Sequence, residues 1–68
     1  MIVTLNGSPE ELPDGAQLSD LLAVHGHTTA ARGIAIALNG AVVRRADWAA
    51  QALDDGDAVE LLVAVQGG

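Results

Sequence analysis

Apolar and polar positions alternate at both ends of the chain, and a helical spacing interrupts them between residues 17 and 26. "MIVTLN" is partly β-branched and stops at Asn6-Gly7, which predicts a strand followed by a tight turn. Both residues of an Asn-Gly pair tolerate positive φ, as a type I′ hairpin turn requires. "PEEL" then returns as a brief second strand, with Pro9 near its start, and "PDG" turns the chain again. In "QLSDLLAVHG", Leu18, Leu21, Leu22 and His25 fall at i, i+3, i+4 and i+7, on one face of a helix. Ser19 and Asp20 suit its first turn and Gly26 its stop, whereas Gln17 is a weak N-cap. "HTTAARG" reads as a loop.

Alternation resumes in "IAIALNGAVVRR". Ile34, Ile36 and Leu38 share one face, Ala35 and Ala37 the other, and Asn39-Gly40 makes a second hairpin turn. "ADWAAQAL" fits one turn of 3₁₀ or α-helix, and "DDGD" is a tight turn. "AVELLVAV" is the longest strand, with Val59, Leu61, Val63 and Val65 on one face. The order is ββαββ with a helical turn before the last strand, an α+β class. One helix joins the two hairpins, so it must cross the sheet to bury the apolar faces. With the first and last strands side by side and parallel, the architecture is a β-grasp, as in ubiquitin. It is a mixed sheet of four to five strands under one main helix. Residues 1–68 form a single domain, with 66–68 expected as a flexible C-terminal tail.

Composition narrows the function. A 68-residue chain that is 50% apolar supports one small core and no deep pocket. No apolar run reaches bilayer length and no secretory leader opens the chain, so a cytoplasmic protein is expected. There is no cysteine, hence no disulfide, zinc-thiolate site or reactive thiol. The net charge is −6, the cations are Arg32, Arg44 and Arg45 alone, and there is no lysine. Nucleic acid and anionic membrane are therefore excluded as expected partners. A basic protein surface remains, although acidity also serves plain solubility.

Side chains offer little chemistry. Glu10, Glu11, Asp14, Asp54, Asp55 and Asp57 sit in turns or at strand edges, where carboxylates are solvated. "DDGD" lacks the downstream glutamate of a calcium loop. His25 and His27 form a His-x-His pair without a third ligand, and the helix end accounts for His25, so no metal site is expected. No serine lies in a nucleophile motif and no glycine run cradles a phosphate. Arg45 and Trp48, three apart, suit a cation–π pair, with core packing the main role of Trp48.

The remaining candidate is the end, "VAVQGG". A terminal carboxylate is ionised at neutral pH and is a poor electrophile until adenylated. The chain has no phosphate loop, so a partner must supply the ATP site. Extended, Gln66-Gly67-Gly68 reaches about 10 Å, and two residues without Cβ pass a channel too narrow for side chains. Ordering a free tail costs about 1–2 kcal/mol per residue, which a docking surface on the folded part must offset. Leu62 and Ala64, with Val65 beside them, are the candidate docking residues. Two readings stand: an exposed apolar patch next to the tail, or a central strand buried on both faces.

In order and spacing, "VTLNG", "IALNGAVVRRADW", "DDGDAVELL" and "VQGG" resemble the ThiS/MoaD family of ubiquitin-like sulfur carriers, in particular its thiamin-pathway ThiS branch, over essentially the whole chain. Arg44 departs from the pattern, where members often carry proline. The resemblance implies a carrier and not an enzyme, binding no cofactor itself, monomeric when free. An E1-like enzyme would adenylate the Gly68 carboxylate with ATP, and sulfur from a cysteine-desulfurase persulfide would replace AMP. The resulting thiocarboxylate would donate sulfur to thiazole synthase. Alternatives are a molybdopterin-pathway or other metabolite sulfur carrier, then a ubiquitin-like protein modifier, then a binding module whose end is irrelevant.

Overall fold

The computed structural model describes residues 1–64. Five strands form one sheet: β1 (Ile2–Leu5), β2 (Ser8–Glu11), β3 (Ile34–Leu38), β4 (Ala41–Val43) and β5 (Ala58–Val63), in the order β2-β1-β5-β3-β4. The helix α1 (Leu18–Val24) joins the hairpins, and a 3₁₀ turn (Arg45–Asp47) precedes β5. β1 and β5 are adjacent and parallel, with Thr4 opposite Ala58 and Leu5 opposite Val59; the other pairings are antiparallel. This is the mixed β-grasp sheet expected by analogy with ubiquitin.

Both hairpins turn as the dipeptides dictate. Asn6 and Gly7 have φ of 50° and 84°, and Asn39 and Gly40 have 50° and 85°. Pro9 lies within the edge strand β2, where its missing donor disturbs one ladder at most.

The weak N-cap at Gln17 is compensated in two ways. Asp20, at the third helical position, accepts the Gln17 N–H through its side chain at 2.8 Å. The Leu18 N–H, orphaned by helix geometry, donates to the Gln51 carbonyl at 2.8 Å, a contact the local sequence does not encode. At the other end, Gly26 N–H donates to Ala23 O and His27 N–H to Leu22 O, a Schellman closure with His25 as the C-cap.

Leu18, Leu21 and Leu22 face Val3, Ile36, Val59 and Trp48 in one buried cluster. His25, the fourth residue of the expected face, lies outside that cluster. It is exposed, and its Nε2 is 2.6 Å from Glu10 Oε2 on β2. Trp48 is 2% exposed and donates its indole N–H to Val43 O at 2.9 Å, so the core aromatic has its polar atom satisfied. No helix among the described residues is long and apolar enough to cross a membrane.

Candidate functional site at the end of β5

β5 begins in the middle of the sheet and ends at its margin. Backbone bonds from Thr4 N–H to Asp57 O and from Asn6 N–H to Val59 O tie its first half to β1, each 2.9 Å long. Beyond Asn6 the backbone of β1 turns away, and the Asn6 side chain takes over. Its Oδ1 accepts the Leu61 N–H at 2.9 Å, and its Nδ2 donates to Leu61 O at 3.1 Å. The carboxamide stands in for one residue of a strand. On the other flank, β3 pairs with β5 from Leu38–Val59 to Ile34–Val63. The ladder continues one pair further, where Ala64 N–H donates to Gly33 O at 2.6 Å. Past Leu61, therefore, among the described residues only the β3 side holds the strand.

Burial follows the same gradient. Val59 is 1% exposed and Leu61 half-buried, but Val63 is 63% exposed. Alternation places Val63 correctly on the helix-side face; it does not show that the core cover stops short of it. On the opposite face Leu62 is 66% exposed, and Ala64 is exposed as well. Of the two readings left open for this strand, the exposed patch is the one found. Leu62 lies opposite Ala35, Glu60 lies opposite Ala37, and Val42 of β4 lies opposite Ala37 on its other side. An open, largely apolar face results, with the Glu60 carboxylate within it. Gly33, Ile34, Ala35, Leu62, Val63 and Ala64 surround a cleft of about 260 Å³ at this margin. The candidates Val65, Gln66, Gly67 and Gly68 lie outside the described residues.

Two further residues that were not candidates for this site also converge here. Gly33 has φ +74°, a left-handed conformation that admits the chain to β3. Arg45 stacks 4.5 Å from the centroid of Trp48, the expected cation–π pair. Its Nη1 also donates to the carbonyls of Ala31 and Thr29, in the loop that enters β3. A glycine immediately before an alternating apolar run is a visible signal for the first; the reach of a guanidinium across to a distant loop has none.

Among the described residues no group of three or more His, Asp or Glu side chains is arranged to hold a metal ion. His25 is engaged with Glu10 rather than with His27. No buried side-chain polar atom among them lacks a partner, and none of the buried residues is polar or charged.

Comparison with known proteins agrees with this geometry. The ThiS family model matches residues 3–68. The crystal structure of a thiamine biosynthesis protein, ThiS, from Geobacter metallireducens superposes with a TM-score of 0.80 at 33% identity, covering 100% of both chains. A solution structure of a thiamine biosynthesis protein from the same organism gives a TM-score of 0.75 at 32% identity, covering 100% of this chain and 88% of the other. No curated protein matches the chain at a significant level.

Proposed function

The chain belongs to the ThiS family, the sulfur carriers of thiamine biosynthesis, and from that premise we propose that its working atom is the carboxyl carbon of Gly68. A partner enzyme of the E1-like class binds the folded domain and ATP. A carboxylate oxygen of Gly68 attacks the α-phosphorus, pyrophosphate leaves, and an acyl-adenylate forms. The outer sulfur of a persulfide, originating in a cysteine desulfurase, attacks the acyl carbon and expels AMP. A thiol then cleaves the S–S bond of the resulting acyl disulfide, itself ending in a disulfide, and the terminal thiocarboxylate so released delivers its sulfur to thiazole synthase. The protein is a co-substrate in these steps and not their catalyst. ATP is bound by the partner.

The observation that carries this reading is the way β5 ends. The strand rises out of the core, leaves Leu62 and Ala64 exposed, and hands over to Val65-Gln66-Gly67-Gly68 at the margin of the sheet. A patch that excludes water next to the reacting end offers the binding energy needed to order the last residues. Leu62, Ala64 and Val65 form the docking edge, and Gln66, Gly67 and Gly68 thread the partner's channel.

Intact-mass spectrometry tests the reading. After incubation with ATP, a sulfur source and a competent activating enzyme, the chain gains one sulfur and loses one oxygen, and fragmentation places the change at Gly68. An unchanged mass with an enzyme that activates its own carrier overturns it. Exchange on to an amine of another protein instead of sulfur incorporation would favour the modifier class.

A further inference from the structure

We propose that Arg45 is a positioning residue that holds the root of the C-terminal segment at Ala64. Among the described residues Ala64 is the last of the ladder, and its one backbone tie there is to Gly33. How firmly Ala64 is placed therefore depends on how firmly Gly33 is placed. Gly33 follows a loop with few anchors of its own: Ala31 N–H donates to Thr28 O, and Ala30 N–H to Thr28 Oγ1. Neither bond reaches outside the loop. Arg45 does so. Its guanidinium donates to the carbonyls of Ala31 and Thr29, two and four residues before Gly33, and its Cζ sits over the Trp48 ring, 4.5 Å from the centroid. Trp48 is fixed in turn by burial and by its bond to Val43 O. A rigid path thus runs from the core indole through Arg45 to the loop, then through Gly33 to Ala64.

A residue that only covered the indole would need the stack alone. The additional donation to two loop carbonyls makes Arg45 a strut as well as a cover. Arg32 provides the internal control. It is exposed, belongs to the same loop and carries the same charge, but makes no hydrogen bond or ion pair among the described residues. Loss of charge and loss of the strut are thereby separable. The strut rests on geometry alone; its consequence for transfer chemistry rests on the function proposed above.

The test uses the full chain with Arg45→Ala, Arg45→Lys and Arg32→Ala, and reads residue-resolved amide hydrogen exchange. Loss of Arg45 lowers the protection of Ala64 about tenfold, the lower end of what a charged hydrogen bond contributes. Ile36 and Val59 keep their wild-type protection. Lysine keeps a cation with several N–H donors, but its side chain is shorter and lacks the planar guanidinium that stacks on the ring, so Arg45→Lys keeps part of the contact and shows a smaller loss at Ala64. Arg32→Ala matches wild type. With an activating enzyme, Arg45→Ala raises KM for the chain about tenfold while kcat stays within about twofold, since the root must be ordered on binding and not during chemistry. Unchanged Ala64 protection in both Arg45 variants overturns the proposal. So does a loss at Ile36 and Val59 in step with Ala64, which would make Arg45 a core residue only. If Arg45→Ala does not fold, Arg45→Lys decides by the same criteria. A wild-type chain that is never adenylated refutes the functional reading, while the exchange data still decide the strut.

Discussion

The two halves of β5 share one strand, one hydrophobic pattern and opposite physical roles. Ala58–Leu61 lies between β1 and β3 and under the helix, with Val59 fully buried. Among the described residues Leu62–Ala64 keeps only the β3 flank, and both Leu62 and Val63 are more than half exposed. The sequence "AVELLVAV" does not announce this change, since apolar residues run straight through it. A strand can be a platform at one end and a point of release at the other when its neighbours end at different heights.

Damage to the platform should have the largest effect. Val59→Ala removes two buried methyl groups from the cluster shared with Leu18, Leu21 and Ile36. The expected loss is about 2 kcal/mol, and in a domain this small the thermal midpoint falls by about 10 °C. Calorimetry or circular dichroism checks it. A shift of only one or two degrees would mean that the first half of β5 is not the rigid element described.

The junction with β3 comes next. Gly33 has φ +74°, and a Cβ there would meet no atom within 4 Å. Any penalty of Gly33→Ala therefore comes from backbone strain and not from a clash, and is about 1–2 kcal/mol. Strain relieved locally should free Ala64 before it unfolds the core. Chemical denaturation gives the total, and amide exchange shows where it falls. Equal loosening of Val59 and Ala64 would contradict the division of the strand.

Asn6→Gly sharpens the boundary itself. Glycine accepts the left-handed turn conformation, so the hairpin survives and only the carboxamide is lost. The Leu61 N–H and C=O then depend on water on the β1 side. A destabilisation of about 1 kcal/mol is expected, with faster exchange at Leu61 and none at Ala58. Asn39→Gly is the mirror experiment: its side chain binds the Ala58 N–H and the Asp57 carboxylate, so it should loosen the start of the strand instead.

These experiments also separate what the sequence encodes locally from what it does not. Asn-Gly pairs, the leucine face of α1 and the alternation in β3 are short-range signals, and each element formed where its pattern lies. The parallel pairing of β1 with β5 is reached by analogy with ubiquitin, because a pattern of elements does not by itself say which strands are neighbours. By contrast, Asn6 was legible as a turn former but not as the partner of Leu61, 55 positions away. Gln17 is a poor cap by residue type, and the helix start is completed by the nearby Asp20 side chain and by the Gln51 carbonyl from another part of the chain, the second of which no local pattern shows. Exposure of Leu62 was undetermined for the same reason: a doubly buried strand and a docking strand have the same composition. Only the heights at which neighbouring elements stop distinguish them, and that is tertiary information.

Leu62→Ala carries the smallest expected effect on folding and the sharpest test of why the second half exists. Leu62 is 66% exposed, so truncation removes little buried area, and stability should stay within about 0.5 kcal/mol of wild type. If the exposed face is the docking edge, the same substitution weakens binding to the activating enzyme by about tenfold, the scale of one interface side chain. Ile2→Ala supplies the comparison, because Ile2 is also exposed but sits at the β1 end of the sheet, away from Ala64. Titration calorimetry against the partner should separate the two variants even where their unfolding curves superpose. Equal loss from both would make the whole open face sticky without direction. No loss from either would detach the patch at Leu62 from the chemistry at the chain end.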